Sequence, residues 1–153
     1  MARIEFKMFG ETQFSRSIER VGKYAGNAKP VFQVIGKDWL DMNSDQFGSE
    51  GSRSSGGWGD LAPSTVAQRG SAHPILDDTG LLRQLMESPE SLTIHDEYLH
   101  FLLDDDRQEI AQLHQSGTDK MPQRRVFEFT EFDKDRMVKQ LQSWVIHGRL
   151  FYP

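Results

Sequence analysis

Phe47-Gly48-Ser49-Glu50-Gly51-Ser52-Arg53-Ser54-Ser55-Gly56-Gly57-Trp58-Gly59-Asp60-Leu61-Ala62-Pro63-Ser64-Thr65 is the stretch on which the reading of this chain turns. Its first eleven residues are polar and glycine-rich, and a tryptophan follows at once. No apolar period of two or of 3.6 runs through it, so it reads as a loop. The irregularity continues past Arg69-Gly70 to Pro74, and Ile75-Leu76-Asp77-Asp78-Thr79-Gly80-Leu81-Leu82 closes the segment. Loops of this length are uncommon in compact domains, and are usually functional or ordered only on binding. The expectation is a long extended loop or arm over residues 47–74, presented by a small scaffold.

The flanks are regular. Upstream, Ile4, Phe6 and Met8 alternate, which suggests a strand over residues 2–9. Thr12 is placed to cap a helix bearing Phe14, Ile18, Val21 and Ala25. After Gly26-Asn27, Pro30 suits the first turn of a second helix, with Val31, Val34, Ile35, Trp39 and Met42 at helical spacing. That helix should end between Asn43 and Phe47.

Downstream, Asp78 or Thr79 can cap a short helix carrying Leu81, Leu82, Leu85 and Met86, which Pro89 stops. Ser91–His95 and Tyr98–Leu103 read as a hairpin turning at Asp96-Glu97. Asp104-Asp105-Asp106 starts a helix with Ile110 and Leu113 on one side, and Gly117 ends it. Residues 122–129 read as a loop and then a strand through Val126, Phe127 and Phe129. Thr130 and Asp133 have capping-box spacing ahead of a last helix with Met137, Leu141, Trp144 and Val145. Strands and helices in this order predict an α+β fold: a small, mostly antiparallel sheet with helices packed on one face, in a single domain spanning 1–153.

Composition sets outer limits. The 153 residues suit one core of ordinary size, and 37% hydrophobic with 27% charged residues fits a globular chain. A net charge of -5 disfavours global attraction to nucleic acid. There are no cysteines, so disulfide and thiolate chemistry are absent. No signal peptide is legible, and no apolar run approaches the ~20 residues that span a bilayer, so no membrane partner is expected.

The chemistry-bearing residues do not assemble into a site by spacing. His114 lies near Asp104, Asp105 and Asp106, and His95 and His100 flank the hairpin turn, but neither set supplies the ligands of a catalytic zinc. Gly48-Ser49-Glu50-Gly51 lacks the spacing of a nucleophile elbow. No catalytic residue, metal or cofactor is therefore expected. Arg124-Arg125, with Lys120 and Arg107, is the densest basic region, suited to a partner carboxylate or to phosphate. Trp58 can pack on its own domain or anchor in a neighbour, and the polarity of its surroundings tips the expectation toward the neighbour.

These residues also carry a family resemblance. Trp58 to Leu61 with Pro63, Ser64, Thr65 and Arg69 resembles a conserved block of the phage virion morphogenesis proteins. Ile75-Leu76-Asp77-Asp78-Thr79-Gly80-Leu81-Leu82 resembles a second block of that family. His114-Gln115-Ser116-Gly117 with Met121-Pro122-Gln123-Arg124-Arg125-Val126-Phe127 resembles a third. The resemblance covers about residues 47–145, and departs from the family pattern at Ser49–Gly56 and between Arg69 and Ile75.

The resemblance implies a tail completion or neck protein of a Mu-like tailed bacteriophage, not an enzyme. Such a protein caps the head-proximal end of the tail and helps join tail to head. It implies self-association in a ring, commonly a homohexamer. It also implies contact with head-completion or connector proteins and with tail terminator or tube proteins, and a channel through which genomic DNA passes. The expected location is the virion, after assembly in the host cytoplasm. Together with residue type, it marks Trp58, Leu61, Arg69, Arg124, Arg125 and Phe127 as candidate interface residues. The competing readings are a small metal-dependent hydrolase or nuclease built on His114, and a nucleic-acid-binding module built on Lys120, Arg124 and Arg125.

Overall fold

Periodicity in the flanks becomes helix where it was strongest. A computed structural model describes residues 11–54 and 56–151. The strand expected over residues 2–9 lies outside them, as does the side chain of Thr12. Helix α1 is Glu11–Ala25, and α2, Lys29–Gly48, begins with Pro30 in its first turn as expected. Helix α4 is Leu81–Met86, α5 is Asp105–Ser116 and α6 is Glu131–His147. Between α4 and α5 lies the hairpin, β1 (Leu92–Ile94) and β2 (Leu99–Phe101), paired antiparallel with Thr93 opposite His100. The fold is α+β: mostly helix, with one small antiparallel sheet.

Local chemistry accounts for the helix ends. Thr130 Oγ1 accepts from Asp133 N, and Thr130 N donates to the Asp133 carboxylate at 2.7 Å, so the capping box forms. Asp104 Oδ1 accepts from Arg107 N at 2.8 Å to cap α5. Helix α4 departs from expectation. Its N-cap is Gly80, in the left-handed region at φ 74°, and neither Asp78 nor Thr79 caps it.

Two further corrections follow from where backbone hydrogen bonds go. Residues 126–129 do not form a strand. Phe127 N donates to Gln115 Oε1, and Gln115 Nε2 donates to Phe127 O. Two residues upstream, Arg125 O accepts from Gln46 Nε2 and Trp58 Nε1. Side chains thus satisfy the groups a sheet ladder would have used. The second correction is a helix inside the expected arm, α3, Pro63–Arg69, with Pro63 in its first turn and Gly70 left-handed after it.

The core sits beneath the arm. Phe47, Trp58, Ile75, Leu82, Met86, Ala111 and Val126 form one buried cluster, with Leu61, Leu76 and Phe101 packed against it. Trp39 reaches across to Phe101, Phe127 and Phe129, with ring centroids 5.2–5.7 Å apart. At the other end α1 docks on α6: Trp144 Nε1 donates to Tyr24 O and Asn27 O, and the Tyr24 and Trp144 rings lie 5.7 Å apart. The apolar stripe of α1 is only partly used, since Ile18 is 56% exposed.

Candidate functional site

Residues 47–74 are largely irregular, but they are laid down on the core and fixed there. Turns close first: Gly51 N donates to Gln46 O, and Trp58 N donates to Glu50 O at 2.7 Å. Gly51 has φ 82°, and a Cβ there would lie 2.6 Å from Trp58 Nε1, so only glycine lets the indole lie across it. The Glu50 carboxylate then holds the far end of the arm, accepting from Ile75 N at 2.9 Å, with His73 Nδ1 2.8 Å away. Arg53 extends from the turns to the start of α6, where it pairs with Asp133 and donates to Glu128 O at 3.3 Å. Burial works against ionisation of Asp133, but hydrogen bonds from Thr130 and Arg53 more than offset it and hold its pKa below the ordinary value.

Trp58 and Arg124 join the arm to the segment that follows α5. The Trp58 ring is 7% exposed and meets Phe47 edge-on, with centroids 5.3 Å apart. Its Nε1 donates to Arg125 O at 2.9 Å. Arg124 is 3% exposed, and donates through Nε to Gly59 O at 2.8 Å and through Nη2 to Asp60 O at 2.7 Å. Its own N donates to His114 O, which fixes the loop against the end of α5. The guanidinium fork therefore bridges two successive carbonyls of the arm, a contact lysine cannot copy. Arg69 makes a similar tie, with Nη2 donating to Asp77 O at 2.8 Å and Nε 3.5 Å from Asp78 Oδ1.

These contacts leave a groove of about 580 Å³ between α3 and the loop after α5. Leu61, Ala62, Leu76, Met121 and Pro122 give it apolar walls, and Arg69, Asp78, His114, Lys120 and Arg124 give it charge and polarity. Nδ1 of His114 is buried with no hydrogen-bond partner among the described residues. Burial, then the neighbouring Arg124 charge, lowers the His114 pKa, so the ring is neutral at pH 7.

Neither a family model, nor a curated protein, nor a solved structure matches this chain.

The six candidate interface residues divide into two groups. Trp58 and Arg124 are interior: the ring expected to anchor in a neighbour is already seated in its own core, and the guanidinium expected to meet a partner's carboxylate holds the chain's own carbonyls. Leu61 packs on the core and Arg69 is half-buried, each held within the chain. Arg125 and Phe127 do present surface. Arg125 pairs with Glu128, and Phe127 is 37% exposed. Arg124 is buried and Arg125 is paired, which leaves Lys120 and Arg107 as the cations of this region without an ion pair among the described residues.

The histidines do not gather. His95 and His100 are not opposite one another; each ring instead lies 4.5 Å from Tyr98, which sits between them. Among the described residues no three His, Asp or Glu side chains are arranged to hold a metal ion. Spacing did not pick out Gln46 and Glu50, which fix the arm, or Gln115, which holds Phe127. The signal that was available is the Pro63-to-Gly70 frame around α3, which marks a helix whatever its apolar content.

Proposed function

We propose that this chain is a structural virion protein of a tailed bacteriophage, a tail completion or neck subunit that caps the head-proximal end of the tail and helps join it to the head. The observation that carries this reading is the convergence of the three resemblance-bearing blocks. Arg124-Arg125 lies 64 to 67 residues from Trp58-Gly59-Asp60, yet three hydrogen bonds to backbone carbonyls join them, and a fourth joins Arg69 to Asp77. A motif set that locks one substructure is what a subunit of fixed shape needs.

In this role the chain works as a rigid block repeated around a channel, with neighbours of its own kind at its sides and head and tail proteins above and below. A phage carrying a nonsense mutation at this locus tests the reading. Filled heads and separate tails that fail to join are the expected products, with joining restored by the purified chain added to the lysate. Normal virions from the mutant would refute the assignment.

A further inference from the structure

We propose that the groove between α3 and the loop after α5 receives Leu102–Asp106 of a second copy of this chain, in a head-to-tail contact repeated along the direction of α5. This deepens the neck reading, on which it rests, by naming the surface through which subunits meet. The groove is cationic in a chain of net charge -5. Arg69 is offset by Asp78. Arg124 is held by carbonyls, with the Asp60 carboxylate near but unpaired, and Lys120 makes no ion pair among the described residues. The walls are apolar, so the groove calls for a segment with both carboxylates and an aliphatic side chain.

The chain carries such a segment. Leu102 is 59% exposed, and Asp104, Asp105 and Asp106 follow it, all exposed. Asp104 is committed to the cap of α5, while Asp105 and Asp106 form no ion pair among the described residues. Their place supplies the geometry. They start α5, and the groove lies at its other end, with His114 in the last turn and Lys120 beyond it, so most of a helix of 12 residues, about 18 Å long in all, separates the two surfaces. Complementary patches at opposite ends of one rigid element cannot satisfy each other within a chain. They make a heterologous contact, which closes into a ring or extends as a filament.

Charge reversal on the purified full chain tests the proposal. Lys120→Glu and the double change Asp105→Lys, Asp106→Lys are each expected to weaken self-association at least tenfold by sedimentation velocity at low salt, with the thermal unfolding midpoint unchanged in Lys120→Glu and lowered in the double variant only by the lost helix-dipole contribution at the start of α5. Mixing the two variants should restore association, as should combining all three changes in one chain. Leu102→Ser should weaken it independently of ionic strength. Association unchanged by either reversal, or lost but not regained on mixing, overturns this interface, as does a wild-type chain that stays monomeric at millimolar concentration. The neck reading fails separately, if heads and tails join without the chain.

Discussion

Replacing Trp58 by alanine tests whether the arm belongs to the fold. The ring is 7% exposed, lies edge-on to Phe47, covers Gly51 and donates to Arg125 O. Truncating a buried aromatic of this kind costs about 3–5 kcal/mol. The lost indole hydrogen bond adds little, because Arg125 O keeps its bond from Gln46 Nε2 at 2.8 Å. For a chain of this size the loss corresponds to a fall of roughly 6–20 °C in Tm. Domains have about 5–15 kcal/mol in all, so the loss removes a large share of the stability. Urea unfolding followed by circular dichroism at 25 °C gives the difference directly. A variant within about 1 kcal/mol of the parent would mean that the ring contributes nothing to its own core, and that the arm is not packed as described.

Arg124→Lys should destabilise the chain by about 1–3 kcal/mol, because one of the two carbonyls at Gly59 and Asp60 loses its donor; equal stability in thermal unfolding would show the fork to be dispensable. Gly51→Ala combines a strained φ of 82° with a clash against the indole, and should lower stability by more than 1 kcal/mol and blue-shift the tryptophan emission less completely than in the parent. Acid should loosen the arm through Asp133. Its folded pKa lies below the ordinary value of 3.8, so its contribution is complete above that value and is lost as pH falls through the lower, folded one. Asp133→Asn should flatten the stability profile below pH 4, and an unchanged profile would remove Arg53–Asp133 from the account.

The helices were legible because burial on one face imposes a period. The Trp39 stripe of α2, the Thr130–Asp133 box and the acidic start of α5 are all local patterns, and each formed. The arm was not legible, because what orders it is not local. Glu50 holds Ile75, Gln46 and Trp58 hold Arg125, and Arg124 holds Gly59, across separations of 25 to 79 residues. A glycine-rich composition signals entropy to be overcome, but not the side chains that overcome it. The same cause hid the fate of residues 126–129. Their alternation suits a strand, yet Gln115, on another element, takes the backbone groups that a partner strand would need. Trp58 was recognised as the decisive residue of the arm, and only its direction was missed: inward to Phe47 rather than outward to a neighbour.

Imaging the virion tests the central claim most directly. The chain, carrying a small C-terminal label, is built into particles by complementation, and the label is located in averaged electron micrographs of complete phage. Label is expected in a ring at the junction of head and tail, and not along the tail tube or on the capsid shell. Label elsewhere in the particle, or particles that are complete and infectious without the chain, would contradict it.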